Sequence, residues 1–212
     1  MKNICKKIAG AALVLLLLYV MTGCPHDSSD NPPAQPTPPA EPPVPAGFVK
    51  INGGTVSSSF GNNGGPFYNA SEQTPVTVNT FYMAETELTY AKWYEVYTWA
   101  ISDERRAAMY TFANEGSEGY DGTDGAAPTE GNTEPVTCVS WRDAVVWCNA
   151  ASEKDGLTPV YWLEGTTRFT DTTKVLRFAE GYVSEPGDGK AEKAVINESA
   201  NGYRLPTETE WE

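Results

Sequence analysis

Four cysteines, one histidine and several paired carboxylates are the residues with which this chain could do chemistry. A single imidazole, His26, excludes catalysis or metal binding that needs two or more histidines. There is no G-x-S-x-G, and His26 falls in a segment without a fold, so no base serves a nucleophilic serine. Cys138 and Cys148 offer two thiols that would suit soft Cu(I). Cys138 falls in a predicted strand and Cys148 on the buried face of the following helix. Two buried thiols, or one disulfide in an oxidising compartment, are therefore expected rather than a copper site. Glu115, Glu118, Asp121, Asp124 and Glu130 lie in a Gly-rich stretch, Glu115 to Asn132, whose oxygens would suit calcium. The stretch departs from the D-x-[DN]-x-[DN]-G pattern, so a solvated loop is the expectation and calcium the alternative.

Cys24 is the one residue with a definite chemical fate. Lys2, Lys6 and Lys7 precede an apolar run from Ile8 to Val20, and Met21-Thr22-Gly23-Cys24 follows. This is the layout of an export signal, too short for a comfortable membrane span. Small residues ahead of a cysteine suit a bacterial lipoprotein signal peptidase. Residues 1–23 read as the leader and Cys24 as the lipidated first residue, which anchors the chain in the cell envelope outside the cytoplasm. Removing the leader leaves 12 basic against 28 acidic residues, a balance of −16. Membrane lipid is thus one partner. Nucleic acid is excluded, because phosphate contacts need clustered Lys and Arg.

The elements that position these residues begin after a stalk. Eight of the fourteen residues from Pro32 to Pro45 are proline, which favours polyproline II and buries no core. At about 3.1 Å per residue the stalk holds the head some 40 Å from the membrane. Residues 24–46 are the lipidated cysteine and linker, and 47–212 a single domain. Phe48–Ile51, Thr55–Phe60 and Pro75–Met83 read as strands, with a loop at Gly61–Pro66. Tyr90, Trp93, Tyr94, Tyr97 and Ile101 fall on one face of a helix with Thr89 as its N-cap, and the stripe reads as core. Ser102 is placed to cap a second helix to about Phe112. Pro135–Val139 reads as a strand. Ser140 and Asp143 form a capping-box pattern, Trp141, Ala144, Val145 and Cys148 mark the buried face of that helix, and Asp155-Gly156 stops it. Short strands are expected within Leu157–Phe169 and Val175–Val183.

Several of these blocks together resemble the formylglycine-generating enzyme, or sulfatase-modifying factor, family. They are Phe48 to Gly54, Phe81 to Thr89, Pro135-Val136-x-x-Val139-Ser140-Trp141-x-Asp143-Ala144, Cys148, Leu157-Thr158-Pro159-Val160-Tyr161, and Tyr203-Arg204-Leu205-Pro206-Thr207-Glu208-x-Glu210-Trp211-Glu212. The resemblance covers about residues 47–212 and implies an irregular α+β fold related to C-type lectins. Trp141, Asp143, Arg204, Leu205, Pro206, Glu208, Glu210 and Trp211 are its motif residues, expected to be structural. The motif context makes Glu85, Glu87, Glu208 and Glu210 local caps or partners of Arg142 and Arg204, not a glycosidase pair. The family's later G-N-V-x-E-W and R-G-G-S-W blocks are missing, and Thr207 and Glu210 start a helix two residues before the end. The expectation is a domain incomplete at its C-terminus, without the cysteine pair with which family oxidases bind copper. The function expected is a lipid-anchored, non-catalytic binding or display module for a protein or glycan ligand. The alternative is part of an oxidase that converts a sulfatase cysteine to formylglycine.

Overall fold

A computed structural model describes residues 18–19, 44–57, 75–181 and 189–211. The strands are β1 (Leu18–Tyr19), β2 (Phe48–Ile51), β3 (Gly54–Ser57), β4 (Pro75–Val78), β5 (Phe81–Ala84), β6 (Ser117–Glu118), β7 (Val136–Thr137), β8 (Tyr161–Trp162), β9 (Val195–Ile196) and β10 (Tyr203–Arg204). The helices are α1 (Tyr90–Ala100), α2 (Trp141–Lys154) and α3 (Glu208–Trp211). One sheet runs in the order β10-β1-β5-β2, and β3–β4, β6–β7 and β8–β9 form two-stranded ribbons. The architecture is α+β with little regular structure, as expected.

Pro75–Met83 is two strands rather than the single one expected. Asn79 and Thr80 break it, and β4 and β5 join different sheets. The break wraps Gly53, whose N–H donates to the Thr80 hydroxyl at 3.0 Å. A Cβ on Gly53 would sit 2.6 Å from the Val78 carbonyl oxygen, so only glycine lets the two segments approach this closely. The stretch from Ser58 to Phe60 and the loop at Gly61–Pro66 lie outside the described residues. Leu18 and Tyr19, expected in the leader, pair as β1 between β5 and β10.

α1 follows the expected stripe. Thr89 accepts from Lys92 N–H at 3.3 Å, and Tyr90, Trp93 and Tyr97 are buried. Ile101, however, is the C-cap and is exposed. Val96 and Ala100 take the remaining core positions. The second helix after Ser102 is a single 3-10 turn, Asp103–Arg105. Ser102 does not cap it, because its hydroxyl donates back to the Trp99 carbonyl at 2.9 Å.

α2 is the axis of the domain. Ten consecutive residues, Asp143 through Ser152, are buried, so the helix is enclosed on every side rather than on one stripe. That reverses the expectation for Trp141, which is 45% exposed in the first turn. Trp147 instead enters the core and stacks on Trp93, with ring centroids 5.8 Å apart and 7° between planes. Its indole N–H donates to the Trp93 carbonyl at 3.1 Å. Phe112 meets Trp93 and Tyr97 edge-on. α2 ends at Asp155, and Gly156 takes the left-handed conformation (φ +72°) that its C-terminal turn requires.

A helix buried all round must satisfy any polar side chain it carries. Asn149 is fully buried and uses all its hydrogen-bonding capacity on the surrounding chain. Its oxygen accepts from Val160 N–H (3.1 Å) and Tyr161 N–H (3.0 Å). Its NH2 donates to the Tyr161 (2.7 Å) and Leu176 (2.9 Å) carbonyls. Asn149→Ala strands four buried backbone groups and is expected to cost about 3 kcal/mol or more in urea unfolding of the whole chain. Asn149→Asp fails to rescue it, because a carboxylate cannot donate to the two carbonyls.

Candidate functional site

Three clusters gather the side chains with chemical potential, all against α2. The first sits at its N-terminus. Ser140 and Asp143 form the expected capping box: Asp143 N–H donates to the Ser140 hydroxyl (3.1 Å), and Ser140 N–H donates to the Asp143 carboxylate (2.9 Å). That carboxylate is fully buried and also accepts from the Ser140 hydroxyl (2.6 Å), Ala113 N–H (2.7 Å), Asn114 N–H (3.3 Å) and the Asn114 side-chain amide (2.7 Å). Asp143 therefore ties the loop after Tyr110 to the start of the helix. Its carboxylate oxygens are occupied by the fold.

The second cluster lies at the far end of α2. Arg204 grips Glu210 with two parallel bonds of 2.7 and 2.6 Å. Glu210 also accepts from Thr207 N–H (2.8 Å) and its hydroxyl (3.0 Å), and Glu210 N–H donates to Thr207 at 3.3 Å. The predicted T-x-x-E box is thus formed. Tyr161 receives Leu205 N–H at 3.0 Å, and Ser152 receives Tyr203 N–H at 2.8 Å. Cys148 is fully buried nearby, and burial pushes its thiol well above the usual range, only partly offset by Arg204. Burial likewise holds the Tyr161 phenol above its ordinary value.

The sequence reading missed the third cluster. Glu153 accepts from both Arg105 and Arg177, and Arg105 lies over the Trp99 ring at 4.2 Å. Tyr110 lies within 5.9 Å of Arg105 and 5.6 Å of Arg177, measured to its ring centre. Burial first, and the nearby Glu153 second, keep its phenol above the usual range. The only sequence signal was an acidic residue on α2 facing basic residues of other segments, and partner choice across such distances is set by the fold.

Other expectations need correction. Cys138 and Cys148 are not joined: Cys138 is disulfide-bonded and Cys148 is a free thiol. Cys138 sits just after β7 in the left-handed region (φ 54°), not in a strand, and Cys148 projects into the core from the middle of α2. Arg142 pairs with Glu192 (2.8 and 2.5 Å) and donates to the Gly181 carbonyl, away from the paired glutamates. Among the described residues no group of three His, Cys, Asp or Glu is placed to hold a metal. Glu118 instead uses both oxygens on Thr129 N–H, at 3.1 Å each, which shapes the loop from within. The motif residues separate: Arg204, Leu205, Pro206, Glu208 and Glu210 adjoin Thr207, whereas Trp141 and Trp211 are exposed. His26 and Cys24 lie outside the described residues.

A family model described as the sulfatase-modifying factor enzyme 1-like domain matches residues 34–212, beginning inside the proline-rich run. The chain is 30% identical over 137 residues to a protein of Paenibacillus barcinonensis named chaperone protein LppX, covering 65% of this chain and 36% of that protein. It superposes on the crystal structure of CarF with a TM-score of 0.51 at 29% identity, covering 77% of this chain and 53% of CarF. The chain thus spans about a third of the length of the first protein and about half of the second.

Two outcomes follow from this geometry. Glu210 is held below its ordinary carboxylate range: burial alone would raise it, but Arg204 and Thr207 outweigh that. Its contribution is therefore present above the unfolded carboxylate pKa and lost as pH falls through the lower folded value. The melting-temperature gap between the native chain and Glu210→Gln is expected to be widest near neutral pH and to close below about pH 4; a gap independent of pH refutes the assignment. Cys148 is expected to resist Ellman's reagent in the folded chain and to react once urea unfolds it.

Proposed function

We propose, from the premise that this chain belongs to the family of sulfatase-modifying factor enzyme 1-like domains, that it is an envelope lipoprotein whose head is a binding module. One observation carries this reading. Three buried or half-buried carboxylates of the described head are spent on the fold itself: Asp143 on five donors, Glu153 on two arginines, Glu210 on Arg204 and Thr207. The one free thiol described, on Cys148, is buried and held protonated. What the head offers outward is apolar surface, including Tyr120 (72% exposed), Trp141 and Phe178. Aromatic side chains at the surface suit recognition of a protein or glycan. The relative named as a chaperone favours a polypeptide ligand.

Residues 1–23 act as the leader in this reading, Cys24 as the lipid attachment point and 24–46 as the tether. No helix among the described residues is long and apolar enough to cross a membrane; attachment in this reading is through the lipid on Cys24. The oxidase reading draws on family membership. It requires a reactive cysteine pair, and Cys148, buried with its thiol pushed well above the usual range, is poorly placed to belong to one.

The full gene expressed in a bacterial envelope tests both parts. The native protein is expected to incorporate labelled fatty acid and to enter the detergent phase, whereas Cys24→Ser is unlabelled and stays aqueous. Labelling that survives the substitution refutes the anchor. A sulfatase-derived cysteine peptide, incubated with the protein, copper and oxygen, is expected to keep its thiol; an aldehyde trapped by hydrazide reverses the choice in favour of the oxidase.

A further inference from the structure

The middle strand of the main sheet comes from the segment read as the leader. In β1, Leu18 lies opposite Met83 on one side and Arg204 on the other, and Tyr19 opposite Tyr82 and Tyr203. Both pairings are antiparallel, so β5 and β10 run parallel to each other across β1 without pairing directly. Neighbouring strands lie about 4.8 Å apart, which puts β5 and β10 roughly 10 Å from each other, out of hydrogen-bond reach. Without β1, two facing edges present main-chain N–H and C=O groups to a gap one strand wide. The gap has built walls. Phe81 and Tyr82 of β5 are buried at 2% and 4% exposure, and Tyr203 of β10 stacks on Phe48 of β2 at 6.1 Å. β10 is further fixed by Tyr203 N–H on Ser152 and by the Tyr203 hydroxyl on Asp155 (2.8 Å). β5 is also paired along its other side with β2, from Phe48 opposite Ala84 to Ile51 opposite Phe81.

We propose that in the processed protein the gap between β5 and β10 is a strand-accepting slot, and that its ligand is an extended apolar segment of another polypeptide. The inference rests on the reading that residues 1–23 are removed, and it gives the binding module its ligand class. Three observations favour that ligand. The present occupant is itself an extended piece of an apolar run. It is held through the main chain on both sides, and main-chain pairing tolerates many sequences while rejecting any guest that lacks backbone donors. A relative of the chain carries the name of a chaperone.

The test uses the full chain made by cell-free synthesis, where the leader stays attached, with Leu18→Pro and Tyr19→Pro together to deny the slot its strand. The probe is a synthetic peptide of Leu15 to Val20 with added terminal lysines. Hydrogen exchange is read in the segments containing Tyr82–Met83 and Tyr203–Arg204. The double substitution is expected to speed exchange there by about tenfold or more while α2 stays protected, and the peptide to restore the slow rate. A peptide with proline at the Leu18 and Tyr19 positions is expected to do nothing. Exchange unaffected by the substitutions, no effect of the peptide, or equal protection by the proline peptide overturns the proposal. The mass of the envelope-expressed protein separately reports whether the leader is removed, so a failed lipoprotein reading is distinguishable from a failed slot.

Discussion

The fold depends on the burial of α2. A helix enclosed from Asp143 to Ser152 gains apolar burial on every face, and each polar group it carries must then be satisfied by the chain around it. Asp143, Asn149 and Ser152 meet that demand by bonding backbone groups rather than other side chains for most of their contacts. Each bond fixes a stretch of loop: Ala113–Asn114 at one end, Val160–Tyr161 and Leu176 in the middle, Tyr203 at the other. In a domain with few long strands, these three side chains do what sheet ladders do elsewhere. The irregular segments are held by the helix they cover.

That arrangement explains which parts were legible in the sequence. Local signals held where the deciding contacts are local. Thr89, the Ser140–Asp143 box, the Asp155-Gly156 stop and the Thr207–Glu210 box all act within three or four residues, and all formed. The aromatic stripe of α1 was readable because one face of that helix meets solvent. α2 was harder, since a helix buried all round has no polar face to set the period. Trp141 was assigned to the core in place of Trp147 for that reason. Asn149 was invisible because an asparagine among apolar residues looks the same whether it caps, kinks or braces.

The errors at the ends of elements share a cause. The run Pro75–Met83 is strand-like apart from Asn79, a turn-prone residue whose signal alone does not fix the break at Asn79-Thr80. The break is imposed from outside by Gly53, almost thirty positions earlier. Cys138 read as strand because of its β-branched neighbours, yet it adopts a left-handed conformation that only the turn into α2 explains. The Arg105–Glu153–Arg177 cluster joins three segments that no spacing rule relates. Propensity describes a segment, whereas these features belong to pairs of segments.

A scaffold that consumes its own charges constrains where activity resides. Asp143, Glu153 and Glu210 are held by backbone N–H groups or arginines, and the Cys148 thiol is buried in the core from the middle of α2. Changing such residues damages the fold before it alters specificity. In the binding-module reading, recognition falls to surfaces the scaffold positions: the loop around Tyr120, the exposed Trp141 and the strip at Phe178. The same division of labour lets one irregular core carry different surfaces.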